Sequence, residues 1–296
     1  HDMNTSRSVV EIVPTHIVTE GGGFKVRRPF RMGKVMSPFL LIDEMGPVNY
    51  GPGEAVGAPW HPHRGFETVT YLLDGRMRHE DSSGNQGELN PGDVQWMTAG
   101  RGIIHCEEPH EEILRDGGRT HGFQIWVNLP ASHKMMRPRY QEVPSSESPT
   151  VEKNGVWARV IAGECMGEQS AIDTKIPISL IHVKMNSGSR LSQELESGLN
   201  GMIYVFGGEI EIENETKVKL SPVAFGVRTK QQIKDGELGL LSEGDVISIK
   251  SKSDSEFLIL AGPELNEPIS RYGPFVMNTR EEIEQAFIDY RNGNFV

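Results

Sequence analysis

The residues of this chain whose types and spacing could do chemistry are His61-Pro62-His63 and His105-Cys106-Glu107. On an extended strand, side chains at i and i+2 point to the same face about 7 Å apart at Cα, so both can reach one ion. Two such pairs on neighbouring strands would offer three neutral nitrogens and one carboxylate oxygen. That set suits a divalent transition metal and leaves coordination positions open. A single His-x-His is common by chance, and Trp60 to Gly65 could be a turn carrying surface histidines. The second pair favours metal. So does the crowding of His61, His63, His79, His105, His110, His121 and His133 into one half, while the C-terminal half has only His182. His79, His110 and His133 are expected at the surface, and His121 is a secondary candidate for lining the pocket. Cys106 should face away from the ion.

These side chains need strands to hold them, and strand signals recur throughout. Val69 to Leu73, Val94 to Met97, Phe123 to Val127, Leu180 to Val183, Met202 to Phe206, Val246 to Ile249 and Phe257 to Leu260 are β-rich runs punctuated by turn residues. Together they predict an all-β sandwich or barrel. Gln124 and Trp126 share one face of their strand, Phe123 and Ile125 the other, and the pattern does not say which faces inward. One helix is predicted near the end: Thr279 and Glu282 have capping-box spacing, Ile283, Ala286, Phe287 and Tyr290 form one stripe, and Gly293 can stop it.

The Pro- and Ser-rich stretch 141–155 is the best linker, dividing the chain into an N-terminal metal-binding barrel (3–145) and a C-terminal barrel with the helix (146–296). The halves resemble a diverged repeat. Tyr71-Leu-Leu-Asp-Gly75 is similar to Tyr204-Val-Phe-Gly-Gly208, and Pro91-Gly-Asp-Val94 to Glu243-Gly-Asp-Val246. Counting along it puts Glu194 and Glu196 where His61 and His63 stand, and Phe257 where His105 stands. The second barrel is therefore expected to be metal-free, with both glutamates solvated.

Composition bounds the rest. Thirty basic against 41 acidic side chains give a net charge of −11, which disfavours a nonspecific grip on nucleic acid. A local basic run, Lys25, Arg27, Arg28, Arg31 and Lys34, is either a solvated strand face or a dock for an acidic partner. Two cysteines imply no disulfide framework and a reducing, cytoplasmic setting, nuclear as well in a eukaryote. No apolar run has membrane-span length. His1-Asp2 ahead of Met3 has the look of a cloning remnant.

The run from Gly57 through His61-Pro62-His63 to Glu67 resembles the first motif of the cupin superfamily. The longer string from His61 to Gly75, with Asn90 to His105 and Gly273 to Asn278, resembles the pirin family over nearly the whole chain. The resemblance implies two cupin-type double-stranded β-barrels, a bicupin, with one mononuclear iron site in the first, held by His61, His63, His105 and Glu107. General cupins use the position of Glu67 instead. Glu67 lies four residues beyond His63, roughly 13 Å if extended, so Glu107 is the favoured ligand. Glu67 is left to orient a ligating histidine or to act as general base, and Glu107 could also serve as the base.

Pirin resemblance further implies activity like that of quercetin 2,3-dioxygenase, with a flavonol and dioxygen as substrates. The metal would be Fe(2+), although copper, nickel, manganese, cobalt or zinc suit the same ligands. The alternative is a non-enzymatic, iron-dependent, redox-sensitive transcriptional co-regulator acting through a protein partner, with the basic run as its docking patch.

Overall fold

The computed structural model describes residues 5–214 and 231–296, so His1-Asp2 and Met3 lie outside the described residues. The chain forms two compact units, neither continuous in sequence. One comprises His16–Arg28, Pro38–Ser148 and Leu265–Val296; the other comprises His1–Thr15, Pro29–Ser37 and Pro149–Glu264. Every one of the seven β-rich runs lies inside an observed strand. About half of the stretch 141–155 is strand: Arg139–Val143 pairs with Val94–Thr98, and Thr150–Lys153 with Val156–Ala162.

In the unit that carries the histidines, the larger sheet runs Arg139–Val143, Val94–Thr98, Phe66–Asp74, Gly118–Asn128, Phe39–Tyr50 and Phe24–Pro29. A four-stranded sheet runs Ala58–His63, Ile103–Pro109, Met77–Asp81 and Gln86–Leu89. All ladders joining these strands are antiparallel. The layout is the two-sheet cupin arrangement, but as a sandwich rather than a closed barrel. The chain passes from one sheet to the other through turns, not through shared ladders.

The crossing that matters most is Arg64-Gly65, between the His63 strand and the Phe66 strand. Gly65 has φ +96°, donates its N–H to the Gly100 carbonyl at 2.7 Å, and a Cβ there would collide with the carbonyl oxygen of Val276. Only glycine satisfies both the backbone angle and the close approach. Gly65→Ala is expected to cost about 2 kcal/mol or more, read as a lowered urea midpoint. It should also weaken metal binding, because His63 is displaced with the turn.

The C-terminal helix spans Arg280–Arg291. Thr279 Oγ1 accepts from the Glu282 amide at 3.2 Å while Glu282 Oε1 accepts from the Thr279 amide at 3.0 Å, the reciprocal capping box. Ile283 and Ala286 are buried against Phe275, Met277 and Phe295, with Phe287 and Ile104 at the edge of the cluster; Tyr290 stays partly exposed. A second helix, Glu111–Asp116, is short and carries none of the periodicity that announces the first.

The other unit repeats this topology: a larger sheet with Asn200–Gly207 between Glu237–Leu241 and Ser255–Gly262, and a smaller one of Arg190–Glu194, Val246–Ser251, Glu209–Glu213 and Gln232–Lys234. Tyr71 and Tyr204 therefore do sit on corresponding strands. The Gly-Asp match does not hold, because Val94 opens a strand of the larger sheet and Val246 one of the smaller. A Gly-Asp turn can precede any strand and so cannot fix phase. The counterpart of the His105 strand is Val246–Ser251, not the strand of Phe257. Glu194 and Glu196 are exposed, while Leu191, Ile247 and Ile249 from the same two strands join an apolar core.

Candidate metal centre

Ala58–His63 and Ile103–Pro109 pair antiparallel, with His61 opposite His105, His63 opposite Ile103 and Ala58 opposite Glu107. An irregularity between Ala58 and His61 puts one extra residue on the first strand. Past it, His61 and His63 face the same side as His105 and Glu107. The imidazole centroids lie 4.7 Å (His61–His63), 4.4 Å (His61–His105) and 5.1 Å (His63–His105) apart. One ring nitrogen from each falls within 4.8 Å of the others. Glu107 Oε1 is 3.5 Å from His105 Nε2. The i, i+2 spacing thus brings the three imidazoles together, with the Glu107 carboxylate beside His105.

The His61 Nδ1 is 2.6 Å from the Pro59 carbonyl, so it donates there and turns Nε2 toward the centre. His105 is fully buried, yet neither ring nitrogen has a hydrogen-bond partner, and His63 Nδ1 is likewise orphaned. Buried polar atoms rarely stay unsatisfied. A cation between the three rings would take one nitrogen from each, and the donor set fits a divalent metal.

Burial pushes the His105 imidazole down to about 3 and His63 well below its usual value, with neighbouring histidines adding repulsion in both cases. Burial pushes the Glu107 carboxyl up, against the pull of His61 and His79. Between about pH 3 and 6.5 the metal-free folded chain therefore binds fewer protons at His105 than the unfolded chain. Stability from this group is complete above pH 6.5 and is lost as pH falls, at up to about 1.4 kcal/mol per pH unit. Glu107, shifted the other way, offsets part of the loss. A series of melts from pH 7 to 4 on metal-free protein should show a steep decline; a flat profile would mean the imidazoles are not buried neutral.

Glu67 is not brought to this centre. Phe66 packs its ring 5.2 Å from His63, so the next residue on that strand points to the opposite face. There Glu67 is buried and accepts from Thr98 Oγ1 at 2.5 Å. The strand change at Gly65 breaks the parity between His63 and Glu67. Cys106 pairs with Glu80, on the face away from His105.

His79, expected at the surface, is 4% exposed and lies opposite Glu107 on the next strand. Its Nε2 is 2.7 Å from Glu142 Oε1, which also accepts from Gln95 Nε2 at 3.2 Å. Beside them Tyr140 donates to Asp81 Oδ2 at 2.7 Å. Met77, His79 and Asp81 do alternate with Arg78 and Glu80, but alternation alone does not say which set faces in. His110 caps the short helix by accepting from the Glu112 amide, and His133 is half-buried. His121 is buried at 2.7 Å from Glu44 Oε2 and does not line the cavity.

The centre lies on the wall of a cavity of about 520 Å³, to which His61, His63 and Glu107 contribute together with Phe24, Leu41, Met45, Tyr50, Gln124 and Trp126. Gln124 and Trp126 are thus the inward pair of their strand. Such a volume and apolar lining suit a drug-sized aromatic molecule. The basic run is largely neutralised: Arg27 pairs with Glu44, Arg28 with Asp43 and Glu20, Arg31 with Glu11 and Lys34 with Glu264. Among the described residues no helix is long and apolar enough to cross a membrane.

Fold and site together define a two-unit cupin-type protein with a three-histidine centre in one unit. The Pirin family model matches residues 23–127, and the Pirin C-terminal cupin domain model matches residues 180–296. Human pirin is 41% identical over 295 residues, covering 98% of this chain and 94% of that one. Pirin-like protein 2 of Arabidopsis thaliana is 38% identical over 299 residues, covering 97% and 85%. A crystal structure named quercetin 2,3-dioxygenase, from Acinetobacter baumannii, superposes with a TM-score of 0.89 at 36% identity, covering 98% of both chains. The chain belongs to the pirin family.

Proposed function

We propose that the chain is a mononuclear iron dioxygenase that opens the central ring of a flavonol, with His61, His63, His105 and Glu107 as its metal ligands. The observation that carries this reading is the convergence of three imidazoles, with the Glu107 carboxylate beside His105, next to an aromatic-sized cavity that His61, His63 and Glu107 line. The likeness to the A. baumannii quercetin 2,3-dioxygenase supports it. Bound iron would supply the Lewis acidity and electron exchange that let dioxygen react with the flavonol. The protein's own part is to orient and to move a proton. The His61 Nδ1 bond to Pro59 holds the ring in its ligating tautomer. Glu107, on the cavity wall beside His105, accepts the proton of the flavonol 3-hydroxyl through the carboxylate oxygen not committed to the metal. Trp126, 5.4 Å from the His63 ring, walls the substrate and keeps water from the reacting carbon.

Glu67, held by Thr98 on the other face of its strand, has no role in this scheme, and Glu67→Gln should leave the turnover rate unchanged. One metal per chain is expected, since the apolar Leu191, Ile247 and Ile249 occupy the corresponding strands of the second unit. The test is protein loaded anaerobically with Fe(2+), then mixed with quercetin and air. Loss of the flavonol absorbance with release of carbon monoxide is the expected result. Metal near one equivalent with no bleaching would overturn the activity; metal near two equivalents would overturn the single site.

A further inference from the structure

A cation at the cavity mouth takes no part in this scheme. Arg271 sits on the hairpin formed by Ser270–Tyr272 and Phe275–Met277 and lines the same cavity as His61 and His63. Its Cζ lies 5.0 Å over the Trp126 ring, and its Nη1 donates to the Leu40 carbonyl at 2.8 Å. No carboxylate among the described residues makes a salt bridge with it. The nearby acid, Asp43, is taken by Arg28, which holds both carboxylate oxygens at 2.7 Å from Nε and Nη2. Arg271 is exposed on its hairpin, where Arg28 repels it and Asp43 attracts it. An anion beside it would offset the repulsion.

The backbone beneath this cation is held in place. Its hairpin is bonded to the strand crossing next to the metal centre: the Arg64 amide donates to the Pro274 carbonyl at 3.3 Å, and the Val276 amide to the Arg64 carbonyl at 3.0 Å. Trp126 neighbours both, 5.4 Å from the His63 ring and 5.0 Å from the guanidinium. One wall residue therefore touches both the imidazole cluster and Arg271. Lys25, exposed and also lining the cavity, adds positive charge at the mouth.

We propose that Arg271 makes this cavity selective for planar aromatic anions: a ligand with one oxygen at the histidine cluster and a carboxylate, sulfonate or ionised phenol at its far end. The guanidinium offers a planar fork matched to a carboxylate. Trp126 fixes the plane of that fork from behind by cation–π contact. This deepens the flavonol reading and rests on it for where the ligand's other end is held.

Affinity separates the two ideas, because it is measured without turnover. Full-length protein, with and without Fe(2+), is titrated anaerobically by tryptophan quenching with 3-hydroxyflavone and with its 4′- and 7-carboxylates. At least one carboxylate should bind about tenfold more tightly than 3-hydroxyflavone. Arg271→Met should erase that preference, while losing little affinity for 3-hydroxyflavone. Arg271→Lys should restore part of it. Equal affinities in the wild type, or a preference that survives in Arg271→Met, would overturn the proposal. A preference dependent on Arg271 in a protein that never bleaches quercetin would keep this inference and remove the flavonol dioxygenase.

Discussion

Replacing His61 by glutamine should remove the metal and lower flavonol turnover by roughly a thousandfold. Loss of a group that only supports a ligand costs 10- to 100-fold, and His61 is itself one of the three converging imidazoles. It is the right member to test because it is the least buried of them, on the cavity wall, with one nitrogen already committed to the Pro59 carbonyl. Glutamine keeps polarity and comparable bulk but cannot present an aromatic nitrogen to the centre. The fold should survive, with a melting temperature of the metal-free protein within a few degrees of the wild type. Metal content after dialysis and quercetin bleaching are the two readings. A variant that retains one equivalent of metal and full turnover would show that the centre is not built on His61.

Lys134→Met should be the most destabilising single change in this unit, by about 3 to 5 kcal/mol. The Lys134 side chain is 1% exposed, and its ammonium donates to the Gly65 carbonyl at 2.8 Å, to Asn128 Oδ1 at 2.6 Å and to the Val276 carbonyl at 2.9 Å. Three donors thus tie together the crossing after His63, the end of the Gly118–Asn128 strand and the C-terminal hairpin. Methionine fills the space but takes a donor from the buried Gly65 and Val276 carbonyls, and leaves Asn128 Oδ1 only the Leu129 amide. Urea denaturation of metal-free protein reads the loss as a lowered midpoint. Metal affinity should fall as well, because the turn that follows His63 loses its anchor. A loss below about 1 kcal/mol would mean that water reaches these carbonyls and replaces the ammonium.

Local rules carried the reading of the sequence a long way. The paired His-x-His and His-x-Glu needed only the two-residue period of a strand to share a face, and the strand ladder brings them together as that period requires. The C-terminal helix was legible because its capping box and apolar stripe are both properties of neighbouring residues. Long runs of Val, Ile, Leu and aromatic residues marked the strands for the same reason.

What the sequence left undecided has one physical origin: alternation sets which residues share a face, not which face is covered. His79 has the same parity as Asp81, yet only its place between the Glu107 strand and Glu142 shows that it is buried. The parity of Glu67 relative to His63 was lost where Gly65 carries the chain from one sheet to the other, since a change of sheet restarts the alternation. The repeat could not be phased by Gly-Asp turns that recur before unrelated strands. Arg271 and Lys134 act at sites far from them in sequence, so no local pattern could place them. The sequence by itself placed His61 and His63 on one strand face, and His105 and Glu107 on another. Only the tertiary structure decided what stands around them, because that depends on which segments, distant along the chain, fold back to close the cavity.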